Sequence, residues 1–175
     1  MLYSLYGVDR LARAFTRVQD PDARLLLFGT GDAEADIRAA MEQDPRIRLM
    51  GLADNETVVA EELRATLLVN PRPTDGAYAA YSFPSKNLEY MASGTPVLTT
   101  RLSGIPAEYE AYTYLFYEET EAAMAEALDK ALALPRETLH EKGMEARAFV
   151  LREKTNTRQG KRILDFMKGL DGHGA

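Results

Sequence analysis

Residues 82–97 read SFPSKNLEYMASGTPV, and this stretch decides the fold. Pro84 suits the first turn of a helix, and Gly94 occupies the usual left-handed position that ends one. The apolar run that follows, residues 96–100, is typical of a strand. A helix that leads through a glycine turn into a strand predicts one unit of a parallel sheet with crossover helices.

The same alternation extends outward in both directions. Apolar residues at helical spacing predict a helix over 5–19, and a second helix is expected to begin at Asp32. The continuous apolar run at 24–28 indicates a strand buried on both faces. The remaining predictions are strands at 46–51, 65–71 and 114–117, helices at 54–64 and 84–93, a long loop at 72–83, and three helices over 119–170 broken at Pro135 and near Lys154. The last of these helices is expected to pack on the core.

Composition bounds the domain organisation and excludes several functions. The chain has 175 residues, enough for one domain, with a core over 5–118, C-terminal helices over 119–170 and a disordered tail at 171–175. The net charge of −6 argues against nucleic-acid binding. With no cysteine, thiolate catalysis and zinc–thiolate sites are excluded, and a cytoplasmic location is expected.

A glycine turn follows the first apolar run. Gly29-Thr30-Gly31 leads into Asp32, and such a turn presents N–H groups to an anion or a ribose. The dinucleotide-binding pattern requires a third glycine where this chain has Glu34, so that function is excluded. The alternative is a plain tight turn with Asp32 as the helix N-cap.

The start of the helix over 84–93 carries the second candidate site. Lys86 and backbone donors would face an anion, and Ser85 and Glu89 share a face one turn deeper, where a carboxylate can accept the two hydroxyls of a ribose. The alternative is a Lys86–Glu89 ion pair on a structural helix. Spacing alone favours the ion pair.

The stretch Glu89 to Val97 closely resembles the C-terminal, donor-binding domain of retaining GT-B glycosyltransferases of the family-four, group-one type. Five further segments agree with the family in order and spacing: 7–11, 26–31, 46–51, 69–71 and 103–108. The resemblance implies an α/β, Rossmann-like parallel sheet flanked by helices. It also implies that this chain lacks the first strand, and a bare sheet edge is expected to promote self-association.

The resemblance also implies residue roles. Glu89 matches the ribose-binding carboxylate, Lys86 acts with it in catalysis, and Phe83, Pro84 and Ser85 belong to the loop that wraps the diphosphate and sugar. Gly29, Thr30 and Gly31 match the glycine-rich turn beside the donor. Leu49, Met50 and Gly51 match the strand end that flanks the base.

The implied reaction transfers a sugar from a nucleotide-diphosphate sugar, with retention and without a metal or other cofactor. The acceptor, a glycan or a lipid-linked molecule, would be held by an N-terminal domain absent from this chain, which would leave the isolated chain inactive. The resemblance leaves open peripheral association of the complete enzyme with the inner face of the membrane.

One departure from the family keeps alternatives open. Many members carry a first glutamate eight residues before the ribose-binding one, and here that position is Tyr81. The alternatives are a nucleotide-sugar epimerase-like half, which would need a histidine near these motifs, and a degenerate Rossmann-like interaction module that has lost donor binding. The two histidines, His140 and His173, lie far from the motifs in sequence.

Overall fold

The computed structural model describes residues 1–171, and side chains throughout that range except at residues 77, 78 and 169–171. Five short parallel strands alternate with seven helices in this part of the chain: α1 Val8–Phe15, β1 Leu25–Phe28, α2 Glu34–Gln43, β2 Ile47–Gly51, α3 Asn55–Arg64, β3 Leu68–Asn70, α4 Ser85–Ser93, β4 Val97–Thr100, β5 Tyr114–Phe116, α5 Glu121–Leu132, α6 Arg136–Glu153 and α7 Asn156–Asp171. Short 3-10 helices occupy Ser4–Tyr6, Ala77–Tyr81 and Ala107–Tyr112. The predicted α/β class is therefore confirmed. No helix of the described residues is long and apolar enough to cross a membrane.

The strands form two separate sheets. β1 pairs with β2, and β3, β4 and β5 pair in that order, all in parallel. No strand ladder joins the two sheets within residues 1–171. Residues 2–7 bridge them, since the Leu2 N–H donates to the Thr30 carbonyl beyond β1 and Gly7 packs on the Pro71 carbonyl beyond β3. The junction between the sheets therefore lies between β1 and β3.

One apolar cluster spans this junction. It joins Leu27 of β1, Leu98 of β4 and the inner face of α1, and Val69 of β3 packs against it. A second cluster lies beneath α4 and α6 and includes Met91, Val97 and Phe149. The two sheets thus share a core although no ladder connects them. The expected gap in the sheet is present, whereas self-association through it stays a prediction.

Several predicted boundaries are wrong for local reasons. The helix over 5–19 is interrupted at Gly7, which adopts a left-handed φ of 73°, so α1 begins only at Val8. The second helix begins at Glu34 instead of Asp32, and the Asp32 carboxylate accepts from the Ser4 N–H instead of capping α2. The strand over 65–71 is shortened to Leu68–Asn70.

Burial differs from the prediction at β1 and α7. β1 is buried on one face only, because Leu25 and Leu27 are buried whereas Leu26, which points to the opposite face, is 40% exposed. α7 reaches Asp171 but leaves its apolar side chains exposed, with Phe166 68% accessible, so the expected core packing of this helix is wrong. The predicted disorder of residues 172–175 lies outside the described residues.

Candidate functional site

The carboxyl ends of β1 and β3 meet at the junction between the two sheets. Chain order runs away from this junction on both sides, from β1 to β2 and from β3 through β4 to β5. Open α/β sheets bind ligands in the crevice beyond such a reversal of strand order. The candidate site is therefore this crevice, flanked by the turn after β1, the segment after β3 and the start of α4.

The turn after β1 is in close contact with the N-terminal segment of the chain. A side-chain carbon at Gly31 would lie 2.1 Å from the Leu2 carbonyl oxygen, so only glycine fits there. The Gly31 N–H donates to Glu34, the Gly29 N–H to Gly51, and the Thr30 carbonyl accepts from Leu2. The prediction that this turn presents free N–H groups to an anion is therefore wrong at both glycines. Their donors are already paired within the chain.

The start of α4 is open. Pro84 occupies the N-cap position, where no side chain caps the helix, and Ser85, Lys86 and Glu89 are exposed. Phe83 is partly buried, with its ring 5.2 Å from that of Tyr109. An uncapped helix start leaves amide donors available to an anion. Of the residues that the sequence placed around the donor at this helix start, Ser85, Lys86 and Glu89 are thus exposed, whereas Phe83 is partly buried and Pro84 is buried.

Lys86 forms two ion pairs. Its ammonium group lies 2.7 Å from Glu89 and 3.8 Å from Glu62 of α3. The Lys86–Glu89 contact is the surface pair that the spacing of the two residues favours. Because the side chains of Lys86 and Glu89 are 46% and 42% exposed, the pair itself stabilises the fold little.

Glu62 is a site residue that sequence reasoning missed. It is 8% exposed, and burial raises the pKa of its carboxyl group, while the nearby Lys86 ammonium opposes the shift. The signal was present, because Glu62 lies one turn beyond Val58 and Val59 on the inward face of α3. An acid at an apolar helical position indicates a specific partner.

A buried polar trio fixes the first turn of α4 and was also missed. The Asn70 side-chain amide donates to Asn87 Oδ1 at 2.6 Å, and the Thr99 hydroxyl donates to the Asn70 carbonyl at 3.0 Å. These bonds tie α4 to the ends of β3 and β4. The signal was an asparagine at the end of an apolar strand, directly before a proline.

Residues at the end of β2 face solvent. Met50 is 48% exposed, and Gly51 has a left-handed φ of 72° with no atom near the position of a side-chain carbon. Leu49 is partly buried against the core. This strand end leaves room for a flat group above it.

The loop after β3 is anchored to α1 and to the segment that precedes α5. Asp75 pairs with Arg10 at 2.8 Å, which lowers the pKa of the Asp75 carboxyl group, and Glu119 accepts from the Thr74 N–H. Tyr81 is 91% exposed. The first half of the loop is therefore held against the body of the domain, whereas Tyr81 near its end is exposed to solvent.

Arg72 begins the same loop and was not among the predicted site residues. Its guanidinium group lies 3.8 Å from the centre of the Tyr6 ring, in a stacking contact. Its Nε atom is buried without a hydrogen-bond partner, and no carboxylate in the described side chains pairs with it. A partly buried cation therefore lies at the crevice without a counter-ion among the side chains that the structure describes.

Comparison with known proteins gives a family match and several structural matches. A family model described as Glycosyl transferases group 1 matches residues 1–133. Comparison with curated protein sequences gives no significant match. The chain is similar to HepE (Alr3699) of Anabaena, in complex with UDP and glucose, at 14% identity over 96% of this chain and 46% of HepE, with a TM-score of 0.73.

Two further matches are single domains. The C-terminal domain of the group 1 family protein LpcC from Francisella tularensis is 19% identical, covering 89% of this chain and 83% of that domain, with a TM-score of 0.67. The catalytic domain of cholesterol-α-glucosyltransferase from Helicobacter pylori is 21% identical, covering 83% and 91%, with a TM-score of 0.61. The fold is thus that of a C-terminal GT-B domain, and the chain spans less than half the length of HepE.

Proposed function

This chain belongs to the glycosyl transferases group 1 family, and from that premise we propose that it is the donor-binding half of a retaining glycosyltransferase. It would bind a nucleotide-diphosphate sugar and transfer the sugar to a glycan or lipid-linked acceptor held by a further domain. The likeness to HepE, whose structure contains UDP and glucose, supports a nucleotide-sugar donor. No metal enters the proposed reaction.

One observation carries the proposal: the open start of α4 at the crevice between the sheets. Its uncapped amides and Lys86 supply positive charge, and Glu89 supplies a carboxylate one turn deeper. A departing diphosphate gains charge as the sugar leaves, and fixed donors stabilise that charge best in the transition state.

The Lys86–Glu89 pair would open when the donor binds. In the proposed complex Lys86 turns to the diphosphate and Glu89 accepts the two ribose hydroxyls. Phe83, Pro84 and Ser85 line the sugar side, and Leu49, Met50 and Gly51 flank the base. Gly29, Thr30 and Gly31 border the donor as a rigid wall, since their backbone donors are engaged within the chain.

A degenerate module without donor binding is the second candidate. The engaged N–H groups of the turn after β1 favour it, because an anion at that turn would have to displace the Leu2 contacts. The two functions differ in whether the chain binds nucleotides at all.

Titration of this chain with UDP, GDP and ADP and their sugars, followed by backbone amide shifts, tests the proposal. Shifts should concentrate at residues 83–89 and 49–51, and shifts at the opposite sheet edge alone would refute it. Glu89→Ala should weaken donor binding by about 2–4 kcal/mol, roughly 30-fold to almost 1,000-fold, because a carboxylate loses two hydrogen bonds.

The exposed Glu145 of α6 provides the matched control. Glu145→Ala should leave donor affinity unchanged, and both variants should keep the free energy of unfolding within about 0.5 kcal/mol of wild type. Equal donor affinity of Glu89→Ala and wild type would show that Glu89 has only a structural role.

A further inference from the structure

Arg72 occupies a defined position in the fold. It lies two residues beyond the last residue of β3, on the junction side of the second sheet. The adjoining Pro71 carbonyl lies so close to Gly7 that a side-chain carbon there would approach it to 2.2 Å. The segment carrying Arg72 is thus packed against the start of α1, at the crevice that the proposed function assigns to the donor.

The guanidinium group stacks on the Tyr6 ring and pairs with no carboxylate among the described side chains. Its plane rests on Tyr6, and its Nε atom is buried without a hydrogen-bond partner. A buried donor left unpaired is costly, so such an atom usually has a partner in the functional state. By contrast, Arg10 in the first turn of α1 forms ion pairs with both Asp75 and Glu119.

Arg72 also acts on α4. Burial, together with the nearby carboxylates of Glu62 and Glu89, raises the pKa of the Tyr90 hydroxyl to about 12, and the positive charge of Arg72 opposes the shift. Arg72 is therefore close enough to α4 to influence a residue adjacent to Glu89.

Within the proposed function, we infer that Arg72 is a diphosphate-binding residue of the nucleotide-sugar donor. The planar guanidinium fork matches two phosphate oxygens, and stacking on Tyr6 reduces the conformational entropy lost on binding. The turn after β1 has no free glycine donors, so Arg72 and Lys86 supply the positive charge around the diphosphate.

The experiment compares nucleotides of different phosphate content on the 175-residue chain. Isothermal titration with UDP, UMP and uridine, and with the guanine and adenine series, defines the base that wild type prefers. Arg72→Met and Arg72→Lys are then measured with the preferred series. Arg136→Ala, which removes an exposed cation at the start of α6, is the matched control.

Arg72→Met should weaken binding of the diphosphate at least tenfold and binding of the nucleoside less than twofold, while Arg72→Lys recovers part of the loss. Arg136→Ala should bind like wild type. Thermal unfolding shows whether Arg72→Met is folded. If it is not, the test rests on Arg72→Lys, whose loss of affinity should be larger for the nucleoside diphosphate than for the nucleoside, and an equal loss for both would overturn the inference. Unchanged diphosphate affinity in a folded Arg72→Met variant would overturn the inference and leave the proposed function standing. A wild-type chain that binds no nucleoside diphosphate would overturn both.

Discussion

The two sheets of this domain are built from similar apolar strands but are buried to different extents. All four residues of β4 are buried, since α4 and α6 cover one face and α1 and α5 the other. In the sheet of β1 and β2 only the face toward α1 and α2 is covered, and Leu26 and Met50 are exposed on the opposite face. β1 also has a neighbour on one side only.

The comparison shows that an apolar strand sequence does not determine how many of its faces are covered. The run at 24–28 is the more apolar of the two, yet only Leu25 and Leu27 are buried there, whereas every residue of 96–100, including two threonines, is buried. Burial of a strand depends on helices that come from elsewhere in the chain. α3, which follows β2, has Glu62 as its only buried residue and leaves Leu63 59% exposed.

The largest expected effect comes from equal truncations in the two sheets. Leu98→Ala in β4 removes a side chain that is 1% exposed and leaves a cavity, so the free energy of unfolding should fall by about 3–5 kcal/mol. Leu26→Ala in β1 removes the same atoms at an exposed position and should cost no more than about 1 kcal/mol. Urea unfolding of both variants measures the difference. Equal losses would mean that Leu26 is covered in solution.

The next effect concerns the close contact between α4 and α6. A side-chain carbon at Gly143 would lie 2.0 Å from the Gly94 carbonyl oxygen, so Gly143→Ala should force the helices apart and cost about 1–3 kcal/mol. Gly160→Ala in α7 is the control, because nothing lies near that position and alanine favours a helix by about 1 kcal/mol. Thermal unfolding should show opposite signs, and a neutral Gly143→Ala would indicate a looser contact.

The smallest effect is a pH dependence at Glu62, on the helix that connects the two sheets. The pKa of Glu62 is raised by burial in the folded chain, so the folded state binds more protons than the unfolded one above pH 4.5. Stability is therefore lost as the pH rises from there through the raised pKa, and the loss persists at pH 7. Glu62→Gln should stabilise the chain at pH 7 by about 1 kcal/mol or less and abolish this dependence.

Glu61→Gln is the matched control for Glu62, because Glu61 pairs with Arg64 on the outer face of α3. It should change the free energy of unfolding by no more than about 0.5 kcal/mol at any pH. Urea unfolding between pH 4 and pH 8 provides the measurement. A Glu62→Gln variant that follows the wild-type pH profile would show that Glu62 is solvated in the folded chain.

Helix periodicity and glycine or proline signals predicted the elements that depend on local sequence. α4 with its end at Gly94, where φ is 85°, and the three C-terminal helices were correctly placed. The breaks at Pro135 and Lys154 were also correct. These features depend on backbone preferences of a few neighbouring residues, which a single sequence contains.

The errors occurred where distant segments decide the structure. Asp32 bonds to Ser4 instead of capping its own helix, and the glycines after β1 are required by the approach of Leu2. The exposed start of α4 could be predicted from the sequence. The sequence also marks Glu62 and Asn70 as polar residues at apolar positions, but their partners and the stacking of Arg72 on Tyr6 could not be predicted, because those contacts join residues far apart in the chain.

The separation of the two sheets affects the cooperativity with which the domain unfolds. A continuous sheet transmits order from strand to strand through directional backbone bonds, whereas here the apolar side chains around Leu27, Leu98 and α1 connect the halves. Contacts of that kind weaken on cooling, while hydrogen-bonded ladders do so much less. The cooperativity of unfolding between the two halves should therefore depend on temperature. In this respect the domain resembles two neighbouring folding units that share one hydrophobic core.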